Sequence, residues 1–158
     1  QVVSMLEGVV KRGTGRRINA IGKPLAGKTG TTNESRDTWF VGFAPDLVVG
    51  VYVGYDTPQP MGKGATGGQV SAPIFAEFMK SAMEGRAVVP FRVPPGIKLV
   101  PVDRNTGLRA ARSDQNTIIE AFKPFEEPDD ANSFLGYQSA DGIYGGPSTV
   151  SSGRGNVY

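Results

Sequence analysis

The chain has 158 residues, enough for one domain with its own core, a net charge of +2, and neither histidine nor cysteine. That composition excludes disulfides, thiol nucleophiles, histidine-based zinc sites and any Ser-His-Asp relay supplied by this chain, so acid–base chemistry would fall to lysine or carboxylate. Charge is unevenly spread: residues 1 to 113 carry 15 Lys and Arg against 8 Asp and Glu, whereas residues 114 to 141 carry 1 against 7.

Val2, Val3, Met5, Leu6, Val9 and Val10 recur at helical spacing and predict an amphipathic core helix, closed by Gly13 in a left-handed cap. The basic cluster Lys11-Arg12 and Arg16-Arg17 lacks interleaved aromatics and straddles a Gly-Thr-Gly break. It reads as a solvated or anion-facing loop, and no nucleic-acid partner is expected. Leu25 to Thr32 reads as a strand, Asn33 to Asp37 as a loop, and Thr38 to Ala44 as a strand apolar on both faces. Pro45-Asp46 is turn chemistry, so Leu47 to Tyr55 should return antiparallel and complete a three-strand meander. Within it Leu47, Val49, Val51, Val53 and Tyr55 share one side. Gly50 and Gly54 lie on the other, leaving room for a helix to approach that face.

Thr57 to Gly68 is too glycine-rich for regular structure. A helix is predicted after it, with Ser71 as N-cap, Pro73 in the first turn, and Ile74, Phe75, Phe78, Met79, Ala82 and Met83 as its buried stripe. Residues 1–89 then form the main segment of an α+β fold, and residues 90–112 an extended linker with a small hairpin around Asn105-Thr106-Gly107. Residues 113–158 are acidic to Gly- and Ser-rich, and are expected to be a mostly disordered tail. No apolar stretch approaches the ~20 residues of a membrane helix, and no signal-peptide pattern opens the chain. Gln1 stands where an initiator methionine would, so a longer parent with any targeting segment upstream is expected.

Lys28-Thr29-Gly30, extended by Thr31 and Thr32, supports two incompatible readings. Gly22 to Thr29 (Gly-Lys-Pro-Leu-Ala-Gly-Lys-Thr) matches the phosphate-cradling P-loop pattern, which would make Lys28 a nucleotide ligand. A P-loop needs a buried strand before it and a helix starting at its end. Thr14 to Ile21 is too polar and glycine-broken for the strand, and Thr31 to Thr38 has no apolar periodicity to bury a helical face. The other reading makes Lys28 to Thr32 part of a strand bordering a cleft.

That second reading gains weight from the blocks Leu6 to Gly15, Ala26 to Asn33, Arg36 to Phe43, Val48 to Asp56 and Gly64 to Gly68, in this order. Over about residues 1 to 112 the chain resembles the C-terminal part of the transpeptidase domain of class A, bifunctional penicillin-binding proteins of the 1A type. The resemblance implies a β-lactamase-like α+β fold. It also implies D,D-transpeptidation, in which a serine attacks the D-Ala-D-Ala end of a peptidoglycan stem peptide and the acyl group passes to a neighbouring stem amine. Penicillin and other β-lactams would be trapped covalently. By the same resemblance, Lys28 is catalytic, sitting near a second-motif serine. The Thr29 and Thr31 hydroxyls hold the substrate carboxylate, Gly30 lets the substrate backbone lie close, and the Thr31 N–H joins the oxyanion hole. No cofactor or metal is called for.

The family's Ser-x-x-Lys and Ser-x-Asn motifs do not occur in this sequence. The nucleophile, a glycosyltransferase domain and a membrane anchor are therefore expected upstream, placing the parent on the periplasmic face of the cytoplasmic membrane. This chain alone should be inactive. A β-lactamase or D,D-carboxypeptidase of the same fold is the alternative.

Overall fold

The structure is a computed structural model and describes residues 1–129. Its elements are α1 (Val2–Arg12), a 3-10 turn (Arg16–Ile21), β1 (Ala26–Thr31), β2 (Asp37–Ala44), β3 (Leu47–Gly54), α2 (Ser71–Ala82), β4 (Lys98–Asp103) and β5 (Thr117–Phe122). The described residues divide into two compact units, one of Gln1–Val100 with Ile119–Glu127, the other of Pro101–Ile118 with residues 128–129.

The first unit is built on an antiparallel sheet of order β1-β2-β3. Lys28 faces Val41 and Gly30 faces Trp39 across the first ladder; Phe40 faces Val51 across the second. The two-residue turn at Pro45-Asp46 connects Ala44 to its partner Leu47. Since β1 is a strand through Thr31, no helix starts at Lys28 or Thr29, and the P-loop reading fails.

Strand alternation sorts β2 cleanly: Thr38, Phe40, Gly42 and Ala44 are buried, while Trp39 and Val41 are exposed. The buried side meets Val10 of α1, Ile18 of the 3-10 turn, Leu25, Ala72, Phe75 and Met79 of α2, and Met83 just beyond that helix. Phe40 and Phe75 pack with ring centroids 4.7 Å apart. Burial of Phe40, Phe75, Ile18, Leu25 and Met79 contributes roughly 1.5–3 kcal/mol of transfer free energy each.

The helix α2 approaches the Leu47, Val49 and Val51 side of β3, not the Gly50 and Gly54 side. Gly50 looks into open space, whereas a Cβ at Gly42 would lie 2.5 Å from the Phe40 ring and 2.7 Å from that of Phe75. Gly42 is thus the glycine that lets helix and sheet close up, because the apolar branched residues define the core face and α2 must bury its stripe there.

Both helix stripes are narrower than their periodicity suggests. In α2 the buried line is Ser71, Ala72, Phe75, Met79 and, just past its end, Met83; Ile74 and Phe78 are about half exposed. In α1 only Gly8 and Val10 are buried, and Val2 and Met5 remain exposed, with no described element over them. Gly13 has φ −108°, ψ −151°, an extended conformation, and the first left-handed glycine along the chain is Gly22, at the end of the 3-10 turn. Ser71 is not an N-cap. It lies inside α2, and its hydroxyl is spent on a buried 2.8 Å hydrogen bond with Thr38.

β4 and β5 form a two-stranded sheet. β5 lies where an unstructured tail was expected from residue 113: Ile118, Ile119 and the β-branched Thr117 supply strand propensity that the acidic average concealed. The remainder of that tail, residues 130 to 158, lies outside the described residues. In the second unit, the Asp103 carboxylate accepts the Asn105 and Thr106 N–H groups at 2.9 and 2.8 Å, and the Asp103 N–H donates to the Leu108 carbonyl. A small hairpin was expected around Asn105 to Gly107; the structure has a turn there, flanked by a single antiparallel bridge between Val102 and Arg109, and β4 takes β5 as its strand partner.

Candidate functional site

Among the described residues β1 is an edge strand, so one side of its backbone has no partner strand there. Thr32 donates its N–H to the Asp37 carbonyl at 3.1 Å, which fixes the phase of the ladder. By antiparallel alternation, the N–H and C=O groups of Thr29 and Thr31 point away from β2, toward the free edge. Such unpaired donors are what a substrate backbone or an oxyanion can use.

Side chains alternate across the strand as expected. Lys28 and Gly30 share the face of Val41 and Trp39, and Thr29 and Thr31 share the opposite face with Phe40 and Thr38. The Lys28 ammonium curls around the edge and donates to the Thr29 carbonyl at 2.9 Å. It has no carboxylate partner among the described residues.

On the threonine face lies an open cleft of 470 Å³, with Thr14, Arg16, Arg17, Thr29, Thr31 and Gln69 among its walls. The Thr14 and Thr29 hydroxyls are 2.9 Å apart and share a hydrogen bond. Thr31 Oγ1 accepts the Gly67 N–H at 3.0 Å, which leaves the Thr31 hydroxyl proton free to donate into the cleft. Gly67 must be glycine for this, since a Cβ there would run into the Trp39 and Gly30 carbonyl oxygens. Among the described residues no carboxylate lines the cleft. Arg12, also on its wall, is ion-paired with Glu120 of β5, whereas Arg17 donates to Gln69 Oε1 at 3.3 Å.

At the far end of β1 the turn is braced. The Asp37 N–H donates to Thr32 Oγ1 at 2.8 Å, and the Tyr52 hydroxyl donates to Asp37 Oδ1 at 2.8 Å. That hydrogen bond to Asp37, followed by partial desolvation and the Asp37 and Asp56 charges, raises the Tyr52 pKa above its ordinary 10.0.

The structure thus brings Lys28, Thr29, Gly30 and Thr31 together on one exposed edge. It adds Thr14, Arg16, Arg17 and Gln69, of which only the basic pair was marked in the sequence, as part of a solvated or anion-facing loop. The hydroxyl of Thr14 and the amide of Gln69 carried no sequence signal, because the approach of three separate segments creates their role.

Residues 1–80 match the penicillin binding protein transpeptidase domain family. The chain belongs to that family. Curated relatives carry the name penicillin-binding protein 1A. That of Rickettsia typhi is 52% identical over 78% of this chain and 15% of its own length; that of Pseudomonas aeruginosa is 42% identical over 83% and 16%. Among solved structures, penicillin-binding protein 1A from Haemophilus influenzae superposes with a TM-score of 0.68 at 31% identity, covering 80% of this chain and 20% of that one. The transpeptidase-like α+β fold is therefore that of the family, and the chain spans about 15% of the length of the Rickettsia relative.

Proposed function

We propose that this segment is the carboxylate-binding wall of a serine-type D,D-transpeptidase in a peptidoglycan synthase, the nucleophile being supplied from upstream. The single observation that carries the reading is the edge position of β1, with the Thr29 and Thr31 hydroxyls on a cationic cleft that has no carboxylate among the described residues, and with their N–H groups turned to the free margin.

In this mechanism the upstream serine Oγ attacks the carbonyl carbon of the penultimate D-Ala. The C–N bond to the terminal D-Ala breaks, and the serine proton ends on the departing amine. A neighbouring stem amine then attacks the ester, forms the cross-link and returns a proton to the serine oxygen. Thr29 and Thr31 hydroxyls bind the terminal carboxylate, and the Thr31 N–H stabilises the tetrahedral oxyanion. Gly30 allows close approach of the substrate backbone, and Lys28 supplies positive potential beside the serine pair. Penicillin enters as a donor mimic whose opened ring stays esterified. The parent carries a glycosyltransferase domain and membrane anchor upstream and works on the periplasmic face. Among the described residues no helix is long and apolar enough to cross a membrane. A β-lactamase or D,D-carboxypeptidase would use the same wall but give the ester to water.

Mass spectrometry after incubation with a penicillin tests the reading. The full parent should gain one penicilloyl group on the serine of a Ser-x-x-Lys motif, and the 158-residue chain none. Supplied with stem peptide and an acceptor amine, the parent should yield the cross-linked product. A penicilloyl group on this chain alone, or hydrolysis with no transfer, would overturn it.

A further inference from the structure

The cleft beside β1 is larger and more cationic than two threonine hydroxyls require. Its far wall is the first turn of the 3-10 segment Arg16–Ile21, which points Arg16 and Arg17 at the same 470 Å³ space as Thr29 and Thr31. Ion pairing does not silence these two residues: among the described residues neither has a carboxylate partner, and the only side-chain hydrogen bond of the pair is Arg17 with Gln69. Arg12, by contrast, is neutralised by Glu120. The cleft therefore carries two uncompensated positive charges facing a pair of hydroxyls.

Hydroxyls alone discriminate poorly between a carboxylate and a carboxamide, because both offer a carbonyl oxygen acceptor. Charge does discriminate. We propose that Arg16 and Arg17 are the specificity-determining residues that make this cleft select an acyl donor ending in a free carboxylate over the same donor ending in an amide. The threonines fix the position of the group, and the two guanidinium groups read its charge. This rests on the transpeptidase reading above. Both arginines are exposed, so their attraction acts through solvent and is sensitive to salt.

The test uses the full parent protein and two donors, an N-acyl-D-Ala-D-Ala peptide and its C-terminal carboxamide, comparing kcat/KM for release of D-alanine and of D-alaninamide. Wild type should prefer the carboxylate donor by at least ~10-fold, the scale of two charges acting across a few ångströms of water-like medium. The Arg16→Gln, Arg17→Gln double variant should lose most of that preference through KM, with the amide donor almost unaffected. Arg16→Lys, Arg17→Lys should keep most of it, because a point charge suffices. In wild type the preference should also shrink as salt is raised. A double glutamine variant that keeps the full preference while processing both donors would overturn this inference and leave the transpeptidase reading standing. A wild-type parent that releases neither product would overturn both. Equal loss on both donors would mean that the arginines support the fold of the cleft and do not read charge.

Discussion

The two faces of the β1-β2-β3 sheet are both apolar in sequence, yet among the described residues helices cover only one of them, while the other meets Phe91, whose ring lies 5.5 Å from that of Phe43. On the inner face Phe40, Ala44 and Thr38 are sealed under α1, the 3-10 turn and α2. On the outer face Trp39, Val41, Val48 and Tyr52 are 43%, 46%, 70% and 51% exposed, with Trp39 and Tyr52 rings 4.8 Å apart as a cross-strand pair. Apolar alternation identifies a strand with two hydrophobic faces, but the partner elements decide which face becomes core. The cleft lies on the covered side, so its threonines inherit a rigid floor, whereas Lys28 projects from the uncovered side beside Val41.

The widest contrast comes from truncation. Phe75→Ala should lower unfolding free energy by about 3–5 kcal/mol, against under about 0.5 kcal/mol for Val48→Ala on the open face. Chemical denaturation of the two variants measures this, and comparable losses would mean that the outer face is packed in solution. Glycines give a narrower contrast of opposite sign. Gly42→Ala should cost about 1–3 kcal/mol as its methyl meets the Phe40 and Phe75 rings, while Gly50→Ala, with open space around it, should gain about 0.5–1 kcal/mol. The smallest effect is a titration. Tyr52 has a raised folded pKa, so its hydrogen bond to Asp37 contributes fully below the unfolded value of 10.0 and is lost as pH rises through the higher folded value. The tyrosinate absorbance difference between wild type and Tyr52→Phe should appear above pH 10.0. A Tyr52 that ionises at or below that value would show the brace to be absent.

The meander was legible almost to the residue. Expected strands over 25–32, 38–44 and 47–55 correspond to Ala26–Thr31, Asp37–Ala44 and Leu47–Gly54, because β-branched runs separated by Pro-Asp and Asn-Glu-Ser turns leave few alternatives. Tertiary choices were not legible. Ser71 looks like a helix cap in isolation, but its burial against Thr38 reassigns its hydroxyl. Gly50 and Gly42 are indistinguishable in a strand pattern, and only the position of Phe75 tells them apart. β5 was masked by acidic neighbours, one of which, Glu120, is the residue that holds Arg12. For the cleft, the Lys-Thr-Gly-Thr edge was readable, but the convergence of residues 14, 16, 17 and 69 on it requires the fold.

The acylation rate of the full parent protein by a penicillin, compared between wild type and Lys28→Ala, tests the central claim most directly. The account predicts a slowing equivalent to about 2–4 kcal/mol in the transition state, with the thermal midpoint nearly unchanged because Lys28 is an exposed edge residue. Equal acylation rates in the two proteins would contradict it, and would remove Lys28 and the β1 edge from the chemistry.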